Sequence, residues 1–226
     1  MGRVMTFDST HDTDLDVVEA PQLGGSEGWS QVSFAMNSIL QLSQPVFMRI
    51  DVDNHEPLFI DFRHNAFVWS TELVDFPTNP QSVHFETEVA DPDARPLFRL
   101  PGQNLNSLLW LLGQHAYPGH AAPWLNPGER YRLAQWPNLA RHLHELSQMH
   151  MLAILGNGYF SASELATMAE VPEADAHNLI NALSLLRLLR VSENVPALVV
   201  PTPATEDEPE KVTTGLFARL RARLGR

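Results

Sequence analysis

The sequence predicts an α+β protein: an N-terminal helix and an antiparallel β-meander, followed by a mainly helical unit. Three observations carry this expectation. Val46–Val52 and Leu58–Phe62 alternate apolar and polar residues on either side of the turn-forming stretch Asp53-Asn54-His55-Glu56-Pro57, the mark of a hairpin with one face buried. Between Leu139 and Leu155, and again between Ala176 and Leu186, apolar residues return at steps of three and four, the spacing that keeps them on one helix face. Pro118, Pro123 and Pro127 separate the two patterns. The expected organisation is therefore an acidic segment at 1–28, an α+β domain at 29–125, a mainly helical domain at 126–200, and a linker with a basic tail at 201–226.

Residues 1–28 hold Arg3 against six acids, Asp8, Asp12, Asp14, Asp16, Glu19 and Glu27, together with Pro21 and Gly24-Gly25. With no sustained periodicity, this segment is expected to be disordered or loosely attached. Gly24-Gly25-Ser26-Glu27-Gly28 matches G-x-S-x-G. However, Pro21 in the preceding stretch spoils the buried strand that a nucleophile elbow requires, so a turn is expected there. Phe34, Ile39, Leu40 and Leu42 suit a short helix that Pro45 ends. After the hairpin, Arg63-His64-Asn65 makes a second tight turn into a third strand at Ala66–Trp69. Val83–Val89 is a fourth, with its valines and phenylalanine facing one way and its acids the other. Asn104–Leu112 is apolar on most of its surface and reads as a buried helix.

In the second half, the chain reads as helical from Trp136 until Gly156-Asn157-Gly158, which suits a helix C-terminus. Tyr159-Phe160 can form a short strand. Ser161-Ala162-Ser163-Glu164 is a capping box, in which serine and glutamate each satisfy the other's orphan N–H, so a helix is expected over 162–169. A turn at Glu170–Glu173 leads to a helix with Ala176, Leu179, Ile180, Leu183 and Leu186 on its apolar face. Arg190–Ser192 and Ala197–Val200 supply two further strands. Helix, strand, short helix, turn, helix and hairpin is the order of a winged helix.

The chain of 226 residues carries 44% hydrophobic and 19% charged residues, enough for a packed core. It contains no apolar run of the roughly 20 residues a bilayer span needs, and no secretory pattern at its N-terminus. Cysteine is absent, which excludes disulfides, thiol catalysis and cysteine-based metal sites and fits a reducing compartment. The net charge of −12 disfavours non-specific contact with nucleic acid phosphates.

Patterns that would carry chemistry do not form. The ten histidines include no H-x-x-x-H: His142 and His144 are two apart, and His115 and His120 lie across a Pro-Gly turn. Asp51–Glu56 begins like a calcium loop, but Glu56 stands where glycine is needed and Phe62 where a bidentate glutamate is needed. There is no P-loop and no dinucleotide fingerprint, so no catalytic residue, cofactor or metal ligand is expected. In the last winged-helix helix, Glu173-Ala174-Asp175 precede His177, Asn178 and Asn181. Residues 135–200 hold three bases (Arg141, Arg187, Arg190) against six acids (Glu145, Glu164, Glu170, Glu173, Asp175, Glu193). Acids at the helix start suit the helix dipole and stand where DNA phosphate would lie, so no tight nucleic-acid binding is expected.

The run from Asn37-Ser38-Ile39-Leu40-Gln41-Leu42 through Leu58–Trp69 resembles the helix-then-meander opening of PATAN-type bacterial domains, with Asn65 where their hairpins usually carry glycine. Trp136-Pro137-Asn138-Leu139 and the winged-helix run are similar to C-terminal units of bacterial regulatory proteins linked to type IV pili, gliding and Mgl-type small GTPases. The resemblance covers about residues 30–195 and rests on hydrophobic patterns. It implies a non-enzymatic adaptor of the bacterial cytoplasm in a motility or surface-sensing pathway, with a small GTPase or pilus regulator as partner. A winged-helix transcriptional regulator and an enzyme with a dispersed site are the alternatives.

The last 16 residues reverse the sign of the chain, with Lys211, Arg219, Arg221, Arg223 and Arg226 and no acid. At 100° per residue Leu216, Phe217, Leu220 and Leu224 share one face, and Arg219, Arg221 and Arg223 lie around the rest. Such a tail fits an anionic membrane surface, placing the protein at the periphery of the inner membrane. It fits equally a hydrophobic groove on an acidic protein, or a solvated tail folded back on the acidic body.

Overall fold

In the computed structural model of the protein, residues 28–91, 93, 95–138 and 145–192 are described. They form an α+β structure. Helix α1 (Trp29–Leu42) places Trp29, Val32, Ser33, Met36 and Asn37 inward, a stripe at steps of three and four, and ends at Ser43 in the left-handed region. It begins five residues before the apolar stretch that announced it, because Trp29 anchors its first turn: the indole donates to the Pro77 carbonyl at 2.7 Å and stacks on Phe76.

Strands β1 (Val46–Val52), β2 (Leu58–Asp61) and β3 (Ala66–Val68) make the expected antiparallel meander. The fourth strand, β4 (Val83–Val89), returns beside β1, and a short fifth, β5 (Gln103–Asn104), pairs with β3, giving the order β4-β1-β2-β3-β5. The inner face carries Met48, Ile50, Val52, Leu58, Ile60 and Phe67 into the core, while Arg49, Phe59, Glu86 and Glu88 face outward. Between β2 and β3 the chain makes one 3-10 turn (Phe62–His64) and reverses at Asn65, whose φ of 48° is the left-handed conformation asparagine tolerates. Asp53 turns the β1–β2 hairpin at φ 44° and accepts from the Gln81 and Ser82 amides at 3.0 and 2.8 Å.

One buried ion pair stands on the outer face. Asp61, fully buried, takes a bidentate contact from Arg63 at 2.9 and 3.1 Å. Arg63 also lies 4.5 Å from the centre of the Phe47 ring and donates to the Asp91 carbonyl at 2.6 Å. Burial alone would raise the Asp61 pKa, but the hydrogen bonds and positive charge of Arg63 outweigh it and hold the carboxyl below its ordinary value.

Helix α2 (Leu105–His115) is capped by Asn104, whose side chain accepts from the Asn106 amide at 2.9 Å. Its two faces serve two cores. Leu105, Leu108, Leu109 and Leu112 pack with α1 and the sheet. Trp110 packs into a second core built from β6 (Arg130–Leu133), α3 (Leu146–Asn157), α4 (Ala162–Ala169) and α5 (Glu173–Leu185). At Gly113, α2 crosses α5 so closely that a Cβ there would lie 2.3 Å from the Ala182 Cα.

Several expectations in the second half are corrected. Arg130–Leu133, where the sequence predicts no element, is a strand that pairs antiparallel with β7 (Leu189–Ser192). Trp136–Asn138 is not helical, because Pro137 fixes its own φ and biases Trp136 away from the helical region. α3 begins at Leu146, and Leu139 and Leu143 lie outside the described residues. Tyr159-Phe160 makes only a single bridge, Phe160 to Tyr131. The capping box on α4 stands as read: Ser161 Oγ accepts from the Glu164 amide at 3.2 Å, and Glu164 accepts from the Ser161 amide at 2.9 Å. Among the described residues no helix is long and apolar enough to cross a membrane.

Candidate functional site

The surface to test first is that of α5, where a groove-reading helix would present its polar residues. Pro172 opens the helix, and Glu173, Ala174 and Asp175 on its first turn are exposed. The polar residues that follow are already engaged. Asn178 Oδ1 accepts from the Gly119 amide at 2.9 Å, and His177 Nδ1 lies 3.1 Å from the Gly119 carbonyl. Asn181, fully buried, donates to the His120 carbonyl at 2.8 Å and accepts from the Ala122 amide at 2.9 Å. All three clamp the loop at 117–122, supplying partners for backbone polar groups at Gly119, His120 and Ala122 that lie against α5. Tyr117 fastens the same loop to α1 by donating to the Ser30 carbonyl at 2.7 Å, and Trp124 donates to Ser184 Oγ at 3.0 Å. Burial raises the Tyr117 pKa, so its hydroxyl remains a donor.

A second surface is the β6–β7 ribbon. Tyr131 and Leu133 turn into the core, and Tyr131 donates to Glu129 at 3.0 Å. On the other face, Arg132 lies directly opposite Arg190. Arg130, on the same face, pairs with Glu164. Among the described residues neither Arg132 nor Arg190 faces a carboxylate within ion-pair distance. Arg187, exposed at φ 57°, precedes β7, and Trp136, 51% exposed, follows β6. The charge balance of residues 135–200 does not contain this surface, because half of it comes from β6.

The third surface is apolar. Leu146 is 86% exposed, and with Met149, His150, Ala169 and Val171 it lines a shallow depression of about 610 Å³ between α3 and the end of α4. Leucine and methionine exposed together form an adaptable contact surface.

Residues weighed for metal or catalysis serve the fold. His115 stacks on Phe76 with ring centres 6.0 Å apart, and burial lowers its pKa. Asp51 receives Arg49 at 3.0 Å, and Asp53 holds its hairpin as described above. Among the described residues no three histidine or carboxylate side chains stand close enough to hold a metal ion. Ser26, His142 and His144 lie outside the described residues, as do Leu216, Phe217, Arg219, Leu220, Arg221, Arg223 and Leu224 of the tail. Comparison with protein-family models finds no match to this chain, and neither does comparison with curated proteins or with solved structures.

Proposed function

We propose that this protein is a non-enzymatic regulatory adaptor that works by binding other proteins, with residues 126–200 as a winged-helix-like unit turned to that use. The observation that carries the reading is the state of α5: His177, Asn178 and Asn181 are bound to the 117–122 loop, and Glu173 and Asp175 are left facing solvent. A helix in that state offers acids, not base-reading donors, to whatever approaches it. The exposed Leu146 and Met149 add the apolar contact a protein partner uses. Placement in a bacterial motility or surface-sensing pathway, with a small GTPase or pilus regulator as partner, rests on the PATAN resemblance. A cytoplasmic site rests on the same resemblance, and its placement at the periphery of the inner membrane rests on the basic amphipathic tail.

The Arg132–Arg190 ribbon favours the second reading, a winged-helix regulator of transcription, because a wing is where phosphate contacts are made. Fluorescence anisotropy with duplex DNA at about 150 mM salt separates the two. The adaptor reading expects no sub-micromolar binding. Sequence-selective sub-micromolar binding that disappears in the Arg132→Ser, Arg190→Ser double variant would replace it with the transcriptional one. Native pull-down with the Glu173→Lys, Asp175→Lys variant checks the adaptor directly: the partner captured by the natural chain should be lost.

A further inference from the structure

We infer that the Arg132–Arg190 pair on the β6–β7 ribbon is the docking site of the chain's own acidic N-terminal segment, residues 1–27. Like charges directly opposite on neighbouring strands repel across about 5 Å and destabilise the pair, and here nothing among the described residues offsets the repulsion. Arg49 and Arg130, the other arginines within the described strands, each face a carboxylate, as does Arg63 beside β2; among the described residues Arg95, Arg99 and Arg187, outside the strands, do not. In a chain of net charge −12, with 27 acids to 15 bases, leaving two arginines face to face without an acid calls for an anion supplied from elsewhere.

The N-terminal segment has the required chemistry. Asp8, Asp12, Asp14, Asp16 and Glu19 fall within twelve residues, with no lysine or arginine among them. It joins the fold at Gly28, beside Pro80 and Val83. Asp16 is twelve residues from that point, so an extended chain carries it up to about 40 Å, and Asp8 reaches about 70 Å. A folded unit of this size is only about 40 Å across by its expected radius of gyration, so the ribbon is within reach wherever Gly28 lies. Tethering also raises the local carboxylate concentration to the millimolar range, enough for contacts that would be too weak between separate molecules. The arm would then neutralise the repulsion and cover the surface that a nucleic acid would need.

Because the natural chain has no cysteine, Ser9→Cys gives a single site for a nitroxide label that leaves every acid of the arm in place. At about 50 mM salt the label should broaden the amide signals of residues 130–133 and 189–192. The broadening should disappear at about 500 mM salt, where the Debye length falls below about 5 Å, and in the Arg132→Ser, Arg190→Ser variant. It should persist in an Arg95→Ser, Arg99→Ser control, which removes two arginines of the 91–101 loop instead. Dispersed spectra of each variant report that the fold is kept. Should Arg132→Ser, Arg190→Ser lose dispersion, Arg190→Ser alone, at an exposed position, still has to reduce the effect. An absence of broadening at the ribbon overturns the proposal, as does broadening that survives salt or the loss of the arginines.

Discussion

Gly113 shows how one residue sets the distance between two helices. In an isolated helix, glycine to alanine gains about 1 kcal/mol. Here the new methyl would meet the Ala182 Cα at 2.3 Å and its amide nitrogen at 2.7 Å, backbone atoms that cannot rotate aside. Overpacking should win, and Gly113→Ala should lower stability by about 3 kcal/mol in urea unfolding. His115 is a second residue whose effect has a sign. Burial against Phe76 lowers its pKa from the ordinary 6.5, so the unfolded chain binds the proton first. The neutral ring's contribution is whole above about pH 6.5 and is lost as pH falls through that value toward the folded pKa. Between pH 7.5 and 5, His115→Phe, which keeps the stack, should lose less stability than the natural chain. The partners of Asn181 could not be read from the sequence, since its contacts lie about 60 residues away. The left-handed turn at Asn65 could be expected from its residue type alone.

At the scale of elements, legibility followed the locality of the signal. The strands Val46–Val52 and Val83–Val89 and the helix Ala162–Ala169 were read to the residue, because alternation and a capping box are written within a few positions. Arg130–Leu133 was missed: four residues beside three prolines show no pattern until β7 arrives from 60 residues downstream. The ribbon surface was therefore hidden too. For α4, Ser161→Ala removes the acceptor for the Glu164 amide and should cost about 1 kcal/mol in thermal unfolding of the whole chain. An unchanged transition would mean the box contributes nothing. The basic tail makes its own prediction. A 211–226 peptide, too short for a stable helix alone, should gain helical circular dichroism on anionic vesicles and lose it with Leu220→Asp. No gain would leave the protein groove as the tail's remaining binding role.

Across the molecule, the two cores are legible as two patterns, but the wall they share is not. α2 was recognisable as apolar on most sides, and that is the only trace in the sequence that it faces two ways. Its leucines belong to the core beneath the sheet and Trp110 to the core of α3, α4 and α5. The consequence is kinetic as much as structural. Opening either core exposes one side of α2, so its amides have no cheap local route to solvent and should exchange hydrogen near the rate set by global unfolding. That makes α2 a gauge for both halves. A ligand that tightens the acidic surface of α5 should slow exchange at Leu108–Leu112, and so should one that grips the sheet. Measured by mass spectrometry, a partner that protects its own contact surface and leaves α2 unchanged would show that the two cores open independently.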